Sequence, residues 1–430
     1  MMLRRYVALG AALATVAVLA GCSSGGSTGS AAGKGSATSG SITYEYFNNQ
    51  PAAITATKKI VADFEKKYPK IHVKLEVAPA DSLEQKLQTQ YAGGVAPDVI
   101  QNDAPGDTLQ FADFLADLGK LLPKSVVDDI PSSVRSGLTQ DGKLLAVPTE
   151  QQSYVVFANK KILQDDGVTI PTGDTMSWDD FESIAKQTTT NGVKGLALGL
   201  AQPTSEFASF GLGFGAKFFT SSDESKAKAS IGAAELQVPR RIKAMIDAGY
   251  VDKTSVTQST SDALPTFYGG KAAMTIAGSY QIANIESQAP AGFDWIVLPA
   301  LAGSTGSQQM SAPITLSITA KSKNTAAAAT FVEFYQSAAN LAAINIADGE
   351  IPATISALAE ARKLTAGKNG WAEVLSSGTN LVNPTWNTFT KYEDWKSTVA
   401  TPAYQKYLAG QLDDSGLASA LEKGWTSVNQ

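Results

Sequence analysis

A single cysteine, Cys22, and a single histidine, His72, serve all 430 residues. One cysteine cannot close a disulfide within the chain, so stability must come from core burial. One histidine rules out a His-rich zinc site, and any Ser-His-Asp triad would have to use His72. That residue lies in Ile71-His72-Val73-Lys74-Leu75-Glu76-Val77, which alternates strictly. Ile71, Val73, Leu75 and Val77 face one way, so the pattern predicts a half-buried strand with His72 on its solvent side. Positive charge is also short, with 35 Lys and Arg against 40 Asp and Glu. Such a surface has no basic patch to release counterions from nucleic acid. No apolar run after Leu19 approaches the ~20 residues of a membrane span. Gly33-Lys34-Gly35 does not meet the spacing of a phosphate loop, and no strand precedes it. No internal repeat recurs at a solenoid period.

What is present begins at the N-terminus. Arg4 and Arg5 precede Tyr6 to Leu19, a run almost entirely of Ala, Val and Leu with signal-peptide length. Leu19-Ala20-Gly21-Cys22, directly behind it, resembles a bacterial lipoprotein box, in which signal peptidase cuts before the Cys and the new N-terminus is acylated. Residues 1–21 are then a lipoprotein signal peptide and Cys22 is the lipidation site. The mature protein is expected to be exported and tethered to the outer face of the cell membrane. An ordinary secretory signal with an unrelated cysteine is the alternative. Fatty chains add ~0.8 kcal/mol per buried CH₂ and stable anchoring takes more than one, which the lipoprotein class supplies. Residues 22–40 are mostly Ser, Gly, Ala and Thr and predict a disordered tether.

The remainder exceeds the ~250–300 residues at which one core splits, so two domains are expected. Ser41 to Phe47 reads as a strand ending in Asn48-Asn49-Gln50 and Pro51. A helix with Ile60, Val61, Phe64 and Tyr68 on one face follows, then the strand Ile71 to Val77. A helix over Ser82 to Tyr91, broken by Gly93-Gly94, precedes a strand from Pro97-Asp98-Val99-Ile100. This βαβαβ order predicts a parallel doubly wound sheet, which binds ligands outside the carboxyl ends of its strands. Two such ends are polar, Asn48-Asn49-Gln50 and Gln101-Asn102-Asp103, although loop solvation and capping account for Asn and Asp equally well. Later, Ser177 is the expected N-cap of a helix with Asp180 three residues on. Gly349-Glu350-Ile351-Pro352 reads as a turn, and the C-terminal hundred residues as mostly helical.

In their order these segments resemble the extracellular sugar-binding lipoproteins of ABC importers, family 1 solute-binding proteins like the maltose-binding protein. The resemblance rests on the lipobox, Pro97-Asp98-Val99, Gly142 to Pro148 and Phe157-Ala158-Asn159-Lys160-Lys161-Ile162-Leu163. It continues through Thr175-Met176-Ser177-Trp178-Asp179-Asp180, Phe267-Tyr268-Gly269-Gly270-Lys271-Ala272-Ala273-Met274 and Ser322-Lys323-Asn324-Thr325-Ala326-Ala327-Ala328. Ala158 replaces the usual tyrosine before the Asn-Lys pair, and Tyr280 the usual tryptophan. The resemblance implies a periplasmic-binding-protein-like α/β fold: two doubly wound lobes joined by hinge strands, with the ligand in the cleft between them. Lobe 1 would take 41–148 plus 277–320, and lobe 2 would take 149–276 plus 321–430.

A sugar offers hydroxyls at its edges and C–H groups on its faces, so its site needs planar amides and carboxylates together with aromatic rings. The polar candidates are Asn48, Asn49, Gln50, Asn102, Asp103, Glu150, Gln151, Gln152 and Ser279. The aromatic ones are Phe47, Tyr154, Phe207, Tyr280 and Trp386, with core packing the plain reading for Phe47 and Phe207. The expected partners are a carbohydrate, an oligosaccharide, and the permease subunits of an ABC transporter; the expected state is a monomer with no cofactor, no metal and no catalysis. The alternatives are a polyamine, metal or peptide cargo on the same fold, or a secreted glycosidase built from Asp103, Asp107 and Glu150.

Overall fold

The computed structural model describes residues 39–48, 50–78, 80–190 and 192–430. Cys22, the signal segment, most of the tether and Asn49 lie outside them. The tether gives way by Gly40, which already opens strand β1 (Gly40–Phe47). Pro51, whose missing N–H is no loss in a first turn, starts helix α1 (Pro51–Lys67). Strand β2 (Ile71–Ala78), helix α2 (Ala80–Gly93) and strand β3 (Val99–Asn102) follow. β1 pairs in parallel with both β2 and β3. Helix α1 covers one face, where Phe64 meets Phe331 at 5.1 Å between ring centroids. Leu83, Leu87 and Tyr91 of α2 join Phe47 and Ile100 in a cluster on the other.

The alternation in β2 holds at Ile71 and Val73, and His72 is exposed, but it slips at the end, where Val77 is 43% exposed. β2 is the edge of its sheet, so one side of its last residues has no neighbouring strand. The first sheet is completed by β4 (Val147–Gln151), β9 (Ile314–Ile318) and β10 (Ile351–Pro352), in the order β10-β4-β9-β3-β1-β2. β9 lies antiparallel between β3 and β4. The second sheet, β8-β5-β7-β6, comprises β5 (Tyr154–Asn159), β6 (Lys194–Leu196), β7 (Ala272–Gly278) and β8 (Trp295–Val297). Only its β6–β7 pair is parallel. Both sheets are therefore mixed rather than wholly parallel.

Sheet membership shifts the expected lobe boundaries. Trp295–Val297 pairs with β5, so the stretch after residue 277 stays with the second sheet. The helices α6 (Thr325–Tyr335) and α7 (Ala338–Asp348), expected in lobe 2, pack on the first sheet, with Phe331 5.2 Å from Tyr44. These helices share with α1 one face of the first sheet, where Phe331 touches both Phe64 and Tyr44, and burial decides the partner. The second sheet's helices include α3 (Trp178–Gln187), α4 (Thr204–Gly211), α5 (Thr260–Tyr268) and α8 (Asp414–Val428). Ser177 caps α3 through a reciprocal capping box with Asp180, as its spacing predicts. Phe219 is ringed by Trp386, Phe389, Tyr392, Trp395 and Trp425 at 4.6–6.3 Å. Among the described residues no helix is long and apolar enough to cross a membrane.

Candidate functional site

The chain passes from the first sheet to the second within three residues, between Gln151 of β4 and Tyr154 of β5. Backbone groups freed by that crossing find partners from other segments. Ser279 N donates to Ser153 O at 2.8 Å, and Ser153 Oγ lies 2.5 Å from Ser377 Oγ. The Gln309 side chain, 2% exposed, acts as a piece of strand: its Oε1 accepts from Tyr154 N at 2.7 Å and its Nε2 donates to Tyr154 O at 2.9 Å. Gln309→Ala strands both groups where water enters poorly. It is expected to lower stability by about 2–3 kcal/mol, measured by urea unfolding.

Beside this crossing lies a cavity of about 520 Å³ with walls from both sheets. The first sheet contributes the carboxyl ends of β1 and β3, with Phe47, Asn48, Gln50 and Asp103. Asn48 Nδ2 donates to Asp348 Oδ2 at 2.6 Å, its Oδ1 accepts from Gln50 N at 2.6 Å, and Gln50 Nε2 reaches Asp348 O at 3.3 Å. These bonds fix the end of α7 at the cavity. There Gly349 takes φ 78°, and a Cβ on it would lie 2.6 Å from Tyr280 O. This left-handed, close-packed turn lets both Asp348 and Glu350 line the cavity. The second sheet contributes Tyr154, Tyr280, Gly199 and the first turns of α4 and α5, with Ser205, Glu206, Ser259, Thr260 and Ser261. The Tyr154 ring packs on Phe210 at 5.9 Å, which in turn meets Trp178 at 5.4 Å, so the core orients it.

Of the residues read from the sequence, Asn48, Gln50, Asp103, Gln151, Gln152, Tyr154 and Tyr280 come together on this lining. Three others stand behind it. Glu150 is wholly buried and accepts from Gln101 Nε2 at 3.1 Å. Ser279 is wholly buried and donates to Glu350 Oε2 at 3.2 Å. Asn102 lines a separate cavity of about 130 Å³, shared with Asp103 and Asp107. Trp386 is elsewhere: 5% exposed, it packs on Phe218 and Phe219 in the aromatic core, because its Pro-flanked segment folds inward. Phe207 is wholly buried against Tyr404, as plain packing predicts, whereas Phe47 reaches the cavity. Of Asp103, Asp107 and Glu150, only Asp103 lines the main cavity.

The sequence reading missed Glu206, Asp348 and Glu350. Gln202-Pro203-Thr204 before an apolar helix marks the start of α4 and was the available signal for Glu206. Each of these acids is at least nine-tenths buried. Burial alone pushes the Glu206 carboxyl up to about 8, and its Oε1 has no hydrogen-bond partner. The first turn of α4 offers roughly 0.3–1 kcal/mol to an anion, against several kcal/mol for burying one unpaired. Burial likewise raises Glu350, helped by the charges of Asp348 and Glu150. Asp348 and Glu150 stand side by side, and burial raises both, with Asp348's charge adding to the rise at Glu150. Asp103 is exposed to the cavity yet hemmed in enough for desolvation to raise it, against the pull of Lys396. Among the described residues no group of three or more His, Cys, Asp or Glu is placed to hold a metal ion.

Comparison with known proteins places this geometry. The family model described as bacterial extracellular solute-binding protein matches residues 25–342. An uncharacterized lipoprotein in the oleD 5′ region of Streptomyces antibioticus is 32% identical over 91% of this chain and 86% of its own length. A multiple sugar-binding protein of Streptococcus mutans is 25% identical over 69% of this chain and 71% of its own. The GacH receptor of Streptomyces glaucescens, solved unliganded and in complex with acarbose, superposes with a TM-score of 0.76. At 23% identity it covers 91% of this chain and 98% of its own, and it shares the fold.

Proposed function

This chain belongs to the bacterial extracellular solute-binding proteins, and on that premise we propose that its cavity captures a carbohydrate, an oligosaccharide, for delivery to the permease of an ABC importer. The observation that carries the reading is the lining. Amides and hydroxyls from Asn48, Gln50, Gln152, Ser205 and Ser261 alternate with the rings of Phe47, Tyr154 and Tyr280. Paired donors and acceptors suit vicinal hydroxyls, and rings suit the C–H faces of a pyranose. The volume falls within the ~300–1,000 Å³ typical of ligand pockets.

The first and second sheets form two lobes that close on the guest about the crossings at Gln151–Tyr154 and Met310–Ile314. The guest must favour the closed state by a few kcal/mol, since equal affinity for both states shifts no population. The protein works as a monomer, anchored at the outer face of the membrane by an acylated Cys22, and releases its cargo chemically unaltered. Titration calorimetry across a saccharide panel is the test. At least one saccharide gives heat, loading compacts the protein in small-angle scattering, and no new reducing ends form. Tyr280→Ala weakens that binding by tenfold or more, since a truncated anchoring ring in a binding site costs about 2 kcal/mol. Heat from a peptide or metal and from no saccharide would overturn the proposal.

A further inference from the structure

The cavity is unbalanced in charge. Asp103, Glu206, Asp348 and Glu350 line it, and no Lys, Arg or His is among its described lining residues. Lys396, the cation that acts on Asp103, is already ion-paired with Glu393. Glu206 is 6% exposed, faces the cavity and leaves Oε1 without a partner. A buried carboxyl with an empty acceptor on a cavity wall is complementary to a cation that the protein does not supply.

We propose that the guest is an amino sugar, a saccharide with an unacylated and protonated amine, whose ammonium is held by Glu206, with the carboxyl groups of Asp348 and Glu350 on the other wall. This inference rests on the carbohydrate reading and narrows it. Glu206 and Glu350 both act electrostatically on the Tyr280 ring, so one guest packed on that ring feels both. A polyamine would match the charges and could lie on the tyrosines, but it carries no hydroxyls to pair with the amide N–H groups of the lining.

The titratable groups that feel Glu206 are Tyr154 and Tyr280, both phenols that burial holds neutral. Glu206 therefore keeps its proton in the unloaded protein near neutrality, and an arriving ammonium displaces it.

The test uses the mature chain and matched probes: glucosamine, galactosamine and their β-1,4 oligomers, the N-acetylated forms, the neutral parents, and spermidine. Calorimetry at about pH 6.5, where such amines are charged, is run in two buffers of different ionisation heat. At least one amine-bearing saccharide binds tenfold or more tighter than its acetylated and neutral partners, releasing about one proton. Glu206→Gln erases that preference; should this variant fold poorly, Asp348→Asn reads the same preference and shrinks it. Amine-bearing saccharides that bind no tighter than neutral ones, or do not bind, overturn the inference. Binding of neutral saccharides in that case leaves the carbohydrate reading standing. Binding of spermidine alone sinks both.

Discussion

Gly199→Ala is expected to cut affinity for the loaded saccharide by a hundredfold or more while lowering stability by about 2–4 kcal/mol. A Cβ at this position would lie 2.2 Å from Thr260 N and 2.4 Å from both Ser259 C and Thr260 Cα. All three are backbone atoms, so no side chain can rotate away. They begin helix α5, whose Ser259–Asp262 capping box fixes the first turn. The whole turn must slide, and Ser259, Thr260 and Ser261 leave the cavity wall with it. A misplacement of this order costs a preorganised site far more than its added methyl group suggests. Gly410→Ala is the comparison. Gly410 has φ 74° but open space around its Cβ, so alanine there costs about 1 kcal/mol of backbone strain and leaves affinity unchanged. Calorimetry and thermal unfolding of both variants separate a shifted wall from a merely weakened fold.

The second large effect is on pH. Unloaded protein is expected to lose stability steadily from about pH 5 to 9, and Glu206→Gln to remove much of that loss. A carboxyl raised in the folded state holds a proton that the unfolded chain releases at its ordinary value of ~4.3. Its contribution is complete below that value and disappears as pH climbs through the folded value, which is about 8 for Glu206. With each unit worth about 1.4 kcal/mol, Glu206 alone accounts for on the order of 3–5 kcal/mol across the window. Wild type and Glu206→Gln then match near pH 5, and the variant is the more stable near pH 9. Calorimetric unfolding at a series of pH values reads this directly; parallel slopes would refute it. A residual slope in the variant comes from Glu350 and the Glu150–Asp348 pair, raised for the same reason.

Local signals made the first third of the fold legible. Alternation at Ile71 and Val73, the 3.6-residue spacing of Ile60 and Phe64, and Pro51 at a first turn are decided within a few residues of themselves. Half of the candidate site was legible for the same reason, since Asn48, Gln50 and Asp103 follow strands at the carboxyl edge where such sheets place their clefts. The rest depends on distant pairings that leave no local mark. Asp348 is placed by Asn48, 300 residues earlier in the chain. Glu350 lines the cavity because Gly349 fits against Tyr280. Trp386 looked available because proline and asparagine surround it, and only the ring of aromatics drawn from residues 218–425 shows why it is not. Residues 325–348 carried an apolar helical pattern that either sheet could have buried.

The position of β9 sets a schedule for folding. It lies between β3 and β4, so until residue 318 is available the three strands made first and β4 have nothing to join them, and β10 adds to β4 only once residue 352 is made. The opposite half waits longer still, for Trp425 to reach the aromatics around Phe219. The first half can therefore lock before the second, which is finished only when the last helix is made. A polypeptide that must be threaded through a membrane gains by remaining unfinished until its last turns are made, and here the order of the strands and the last helix secure that delay.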